Sequence, residues 1–221
     1  MKLLLRALTK FLMGLLLVGV LLFLPAGGFG YPNGWLFVGL LFLPMLLLGI
    51  ALFLKAPALL EKRLNAKEEE SAQKAVVALS ALMFVGGFVV AGLDFRFGWS
   101  HVPLWVVVFA SVILLASYAL YGEVMRENAY LSRTVEVQEN QKVVDTGLYG
   151  IVRHPMYAVT LWLFLAIPLV LGSWWSLLCF LPYVAVIVLR IRNEERVLEE
   201  GLEGYAAYKK RVKYRLIPFI W

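Results

Sequence analysis

Charge is scarce in this chain: 16% of its 221 residues are Asp, Glu, Lys or Arg, against 62% apolar residues and a mean hydropathy of +0.80. A soluble domain would carry roughly 25% charged residues, so a water-filled surface on all sides is excluded. Cysteine is almost missing. The single Cys179 lies inside an apolar block, which excludes an internal disulfide and a cysteine-built zinc site and reads as a buried, inert thiol. No Ser/Pro-rich linker and no solenoid-type repeat divides the chain, so residues 1–221 read as a single integral membrane domain. Nor do the polar residues form a metal-ligand cluster or a nucleophile–base triad, and no metal is expected.

What is there is long apolar blocks. Six are legible: Leu8 to Leu24, Trp35 to Leu54, Ala75 to Leu93, Val102 to Tyr121, Tyr157 to Leu171 and Trp174 to Leu189. Crossing the hydrocarbon takes about 17 to 25 helical residues; the last two blocks are at the short end and are joined only by Gly172-Ser173. The expected fold is all-α: a polytopic transmembrane bundle of about six apolar helices, with a C-terminal helical hairpin and an amphipathic C-terminal helix from Glu194 to Lys213 that Pro218 stops. Four transmembrane helices occupy 1–121. Residues 122–221 form the remaining core. Met1-Lys2 and the leucines that follow resemble a signal peptide, but no A-x-A cleavage pattern follows, and the first block pairs naturally with the second.

Net charge is +6, and its distribution explains it. Every Lys and Arg except Arg96 falls in the segments that share one membrane face if the blocks cross alternately. By the positive-inside rule that face is cytoplasmic, with both termini there. The basic excess is thus topology plus attraction to anionic head groups, and nucleic-acid binding is not needed to account for it. Trp35, Trp99, Trp105, Trp174, Trp175 and Trp221 sit near predicted interfaces as belt anchors.

Two polar clusters flank the charge-free stretch Ala158 to Leu189: Arg153-His154-Pro155-Met156-Tyr157 before it and Arg190-Ile191-Arg192-Asn193-Glu194-Glu195 after it. If the Gly172-Ser173 turn folds the last two helices together, Arg190 and Glu194 approach Arg153 and His154. Arg190 and Glu194, four apart, share a helix face. Gly147 and Gly150 permit close backbone approach and positive φ, and Pro155 suits the first turn of a helix. Backbone groups freed near that turn would be tolerated if a bound polar ligand satisfied them. A head-group arginine beside an ordinary turn is the plainer reading. Lys55 to Lys74 reads as a solvated helical connector, Asp94 and Arg96 as a pair in a far loop, His101 as a head-group contact, and Glu123 with Arg126 as an ion pair at a helix end.

Gly147-Leu148-Tyr149, Arg153-His154-Pro155-Met156-Tyr157, the apolar hairpin, Arg190, Glu194-Glu195, Tyr205 and Tyr208-Lys209-Lys210-Arg211-Val212 resemble, in order and spacing, the isoprenylcysteine carboxyl methyltransferase family, whose core pattern the phospholipid N-methyltransferases share. The resemblance covers about residues 130 to 221. Val159 departs from the family's usual Gly. The resemblance implies a membrane-integral, S-adenosylmethionine-dependent methyltransferase, with residues 122–221 as its cofactor-binding catalytic core. It implies that Gln138, Gln141, Lys142, Val143, Val144 and Tyr149 line the cofactor, that His154, Pro155, Met156 and Tyr157 continue that wall, that Glu194 reaches the cofactor, and that Arg190 faces a lipid-like or isoprenylcysteine-type acceptor. A carboxylate acceptor needs no base. A lipid amine must lose a proton, making Glu194, Glu195 or His154 the candidate base. Two rivals remain: an NADPH-dependent sterol-type reductase, which also carries Arg-His-Pro followed by Tyr and an ending like Tyr214 to Phe219, and a non-enzymatic membrane scaffold.

Overall fold

The computed structural model describes residues 2–64, 71–131 and 137–221, with the side chains of 71–77 left aside. The described residues form helices and turns without a strand. In chain order the helices are α1 (Lys2–Phe23), α2 (Pro32–Lys55), α3 (Pro57–Leu64), α4 (Ser71–Phe97), α5 (Leu104–Glu127), α6 (Pro155–Val170), α7 (Trp174–Phe180), α8 (Tyr183–Gly201) and α9 (Tyr205–Arg211), with a single 3₁₀ turn at Gly147–Gly150. The polytopic bundle expected from hydropathy is therefore present. Five helical stretches are long and apolar enough to span a bilayer: α1, α2, the 78–97 part of α4, α5, and α7 with α8 together. α6 is apolar but has 16 residues.

Element boundaries differ from expectation near the C-terminus. The sixth apolar block is two helices, because Leu181-Pro182 interrupts it; Pro182 lacks the N–H that would continue the ladder. The second piece does not stop at Leu189. α8 runs on through the charged residues to Gly201, so Glu194 lies mid-helix and not at the start of a separate amphipathic one. Gly204, at φ +84°, then turns the chain into the short α9, which ends at Arg211, well before Pro218.

The apolar core joins Leu22, Phe37, Phe88, Leu114, Ile167, Phe180 and Ile187 from seven helices. α5 lies along α6, and α7 packs on α4. The α4–α7 approach is closest at Gly87, where a Cβ would fall 2.3 Å from Phe180 Cε2. Outward faces are apolar: Leu5, Leu16, Leu47, Leu82, Trp105 and Phe109 are exposed, as lipid-facing surfaces require. Trp35, Trp99, Trp105, Trp174 and Trp175 are exposed near the bundle end opposite His154 and Glu194. At this far end Asp94 is buried, and its carboxylate accepts hydrogen bonds from Ser100 N (2.7 Å), Ser100 Oγ (2.5 Å) and Ser173 Oγ (2.5 Å). The expected Asp94–Arg96 pair does not form; Arg96 lies over the Phe97 ring. His101 is exposed, and its carbonyl takes the Trp174 indole N–H. Cys179 is half-buried in α7.

Candidate functional site

The Gly172-Ser173 turn brings the far ends of α6 and α7 together, and the returning α8 lays Arg190, Glu194 and Glu195 beside the start of α6. Gly172 takes φ +76°, a left-handed conformation that costs glycine little. His154 Nδ1 lies 3.9 Å from Glu194 Oε1, and His154 Nε2 lies 3.2 Å from Glu195 Oε1. Tyr157, one turn into α6, donates its hydroxyl to Glu194 and accepts from Arg190 Nε at 2.9 Å. The two polar clusters separated in sequence by 32 uncharged residues are one cluster in space.

The adjacent glutamates have different tasks, because neighbouring helix positions point about 100° apart. Glu195 is turned into protein. Its carboxylate accepts from Arg153 Nε (2.8 Å) and Arg215 Nε (2.9 Å) and touches His154. The Arg153 guanidinium also donates to the carbonyls of Val212 and Lys213, both at 2.8 Å. Glu194 instead lines a cavity of about 610 Å³, within the size range of small-molecule sites. The backbone groups before α6 need no ligand. Arg153 N–H donates to Tyr214 O and His154 N–H to Arg215 O, each at 2.9 Å, so the C-terminal strand of chain, not a bound molecule, satisfies them.

The cavity has two characters. Its polar end is walled by Gln141, Lys142, Val143, Val144, Tyr149, His154, Met156, Tyr157, Arg190 and Glu194. All of these are residues the sequence pointed to. Gln138 is not brought there: its side chain accepts from Lys62 Nζ and donates to Tyr130 O, both at 2.5 Å. Pro155 is buried at the first position of α6 and also lies off the wall. The preceding Val135 and Glu136 fall outside the described residues. The apolar end passes between Leu41, Met45 and Leu48 of α2, Phe84 of α4, Tyr118 of α5, Leu163 and Phe164 of α6, and Val186 and Ile187 of α8. From Tyr157 to Phe164 the wall follows α6 for about 10 Å. Helices before residue 122 thus build part of the cavity wall, which the sequence assigned to 122–221.

Tyr205 and Tyr208 line the same cavity. They appear in the sequence pattern, but nothing about α9 marks them as cavity-facing until Leu202, Val212, Val137 and Val143 pack around them. Tyr208 donates to Tyr149 O at 2.8 Å and is pushed up to about 12 by burial first. The Tyr205 hydroxyl is buried without a partner among the described residues; burial, then the Glu195 and Glu194 carboxylates, raise its pKa strongly, so it stays a neutral donor. The Tyr149 hydroxyl, raised mainly by burial, accepts from Asn128 Nδ2 at 3.0 Å. Gly147 takes φ +53° where a Cβ would meet Glu127 at 2.8 Å, so the sequence's glycine reading holds there. Glu123 and Arg126 form an exposed pair, off the cavity.

Residues 99–203 match the phospholipid methyltransferase family. Among curated proteins, the Delta(14)-sterol reductase TM7SF2 of Mus musculus is 32% identical over 99 residues, which cover 40% of this chain and 22% of the reductase. The uncharacterized protein YpbQ of Bacillus subtilis (strain 168) is 31% identical over 97 residues, 43% of this chain and 58% of that protein. The chain thus spans between about a fifth and somewhat over half the length of these relatives. Over residues 99–203, within a helical membrane bundle that holds a two-character cavity, this chain is similar to the phospholipid methyltransferase family.

Proposed function

We propose that the protein catalyses S-adenosylmethionine-dependent methyl transfer to a lipid-like or isoprenylcysteine-type carboxylate acceptor, at the cytoplasmic face of a membrane. The observation that carries this reading is the convergence of His154, Tyr157, Arg190 and Glu194 on one cavity that is polar at one end and apolar at the other.

The residues present fit such a cofactor. A buried hydroxyl without a partner at Tyr205 supports a polar ligand in the cavity, because an unsatisfied buried donor costs roughly 1–3 kcal/mol. Gln141, Lys142, Val143, Val144, Tyr149, His154, Met156, Tyr157, Tyr205 and Glu194 would hold it. Once bound there, S-adenosylmethionine supplies an electrophilic methyl group on a sulfonium. Glu194 offers the negative charge that a cation beside it requires, and Tyr157 and His154 hold that carboxylate in place. Arg190 is oriented by Tyr157 to grip an acceptor carboxylate. Holding the acceptor aligned is worth about 7–11 kcal/mol in favourable cases. The apolar end suits the acceptor's tail, entering sideways from the bilayer. An amine acceptor is the variant reading: Glu194 then also takes the proton, and Glu195, engaged by Arg153 and Arg215, is the poorer base.

The cytoplasmic placement rests on the sequence pattern in which every Lys and Arg except Arg96 falls in the segments that share one face if the apolar blocks cross alternately. The similarity to a sterol reductase favours one second reading, NADPH-dependent reduction. Calorimetry on the purified protein separates the two. Binding of S-adenosylmethionine, lost in Glu194→Gln, is expected; binding of NADPH alone would overturn the proposal. A scaffold without catalysis requires that Glu194→Gln and His154→Ala leave cellular function intact.

A further inference from the structure

The apolar end of the cavity stops at a definite depth. Phe84 of α4 and Phe164 of α6, both in its wall, meet edge to face with ring centroids 4.7 Å apart. Tyr183 of α8 meets the same Phe164 ring at 4.7 Å. This aromatic layer has no room to retreat. Phe84 backs onto Phe180, centroids 5.3 Å apart. Phe180 is fully buried against Gly87, where a Cβ would already fall 2.3 Å from its ring. Phe37, Phe88, Leu114 and Ile167 each lie one turn farther from the polar end than the wall residues Leu41, Phe84, Tyr118 and Leu163, and all four are buried core. The hydroxyls of Tyr118, Thr160 and Tyr183 are engaged within the protein, by Leu41 O, Tyr157 O and Thr160 Oγ1. They leave this end to hydrocarbon.

The opposite end is bounded too. Lys55 to Lys74 reads in sequence as a solvated connector, yet Leu59 of α3 packs with Val124, Met125, Tyr149 and Met156 at the polar end. Two helices give the depth between: Tyr157 to Phe164 on α6 and Arg190 to Tyr183 on α8 each span about 10 Å. A hydrocarbon layer of roughly 30 Å asks about 15 Å of a tail that fills one leaflet. The pocket is shorter than that by about a third. We infer that Phe84 and Phe164 are specificity residues that set chain length: they select an amphiphile whose apolar chain is shorter than the tails of the bilayer around it. Calling that amphiphile the methyl acceptor rests on the proposed reaction; the length limit does not. Phe84 lies outside the matched segment 99–203.

The test uses the full chain in uncharged detergent, titrated with octanoate, dodecanoate and hexadecanoate, and separately with S-adenosylmethionine. For each probe the dissociation constant of wild type is divided by that of a variant, so that partition of the probe into micelles cancels. Phe164→Ala lowers the floor. It is expected to tighten hexadecanoate at least about tenfold, the worth of two or three further buried methylenes at roughly fourfold each. Octanoate and S-adenosylmethionine binding are expected to stay unchanged. Phe84→Leu and Phe164→Leu are milder cuts, expected to tighten hexadecanoate by about the fourfold of a single methylene; they decide the matter if Phe164→Ala does not fold. An equal ratio for all three chains overturns the inference, as does a wild type that binds none of them. A ratio that rises with chain length in a protein that does not bind S-adenosylmethionine keeps the length limit and removes the methyl-transfer reading. The reverse pair of results removes the limit alone.

Discussion

Carboxylates sit at opposite ends of this bundle, buried at Asp94 and Glu195 and half-buried at Glu194, and they differ in what surrounds them. At the far end Asp94 is 1% exposed and closes on Ser100 and Ser173. It ties the end of α4 to the α6–α7 turn and borders no part of the large cavity. At the site end Glu195 is closed in the same manner, by Arg153, His154 and Arg215. Glu194, its neighbour, is not: it opens on a cavity that an unpartnered Tyr205 hydroxyl also meets. Burial of an acid in an apolar bundle is therefore no mark of chemistry by itself. Space beside it, with a polar group lacking a partner, separates a place for a ligand from a structural knot.

Breaking each carboxylate in turn sharpens that contrast. The largest effect is expected for Glu194→Gln: methyl transfer falls by at least about a hundredfold, the order of a lost catalytic acid–base or electrostatic group, while the melting temperature in detergent hardly moves. Glu195→Ala is expected to act on the fold, costing about 3–5 kcal/mol by stranding Arg153 in a buried site; thermal unfolding with and without lipid reads it. Asp94→Asn is expected to cost about 1–3 kcal/mol, with activity per folded molecule unchanged; a specific loss of activity would dissolve the distinction between the two ends. The smallest effect belongs to Tyr205→Phe. Cofactor affinity is expected to fall about tenfold by calorimetry, with stability equal or slightly raised, because the hydroxyl has no protein partner to lose.

How much of this was legible beforehand follows from the physics of each feature. The convergence of His154 with Glu194 was readable, because a two-residue turn between uncharged helices leaves the returning chain one course. Six apolar blocks were readable for the same reason, lipid being an undemanding but unforgiving solvent. The break at Pro182 was missed because hydropathy continues smoothly through it. The docking of α3 was hidden by its charges: Leu59 and Leu60 are two buried side chains in a stretch that reads as polar. Sign alone suggested pairing Asp94 with Arg96, whereas a buried carboxylate took the nearby hydroxyls and left the arginine to an aromatic face. Nothing in Glu194-Glu195 as a dipeptide says which one faces the cavity; that depends on the roll of α8 against α6. Tyr205 needed the packing of α9 before its hydroxyl had a direction.

The 16 residues of α6 give a rod of about 24 Å, some 6 Å less than a hydrocarbon layer of roughly 30 Å. Neighbouring helices cover most of that rod: Pro155, Met156, Val159, Leu163, Ala166 and Ile167 are buried. A span too short for the bilayer is tolerated where protein, and not lipid, stands beside the missing ångströms.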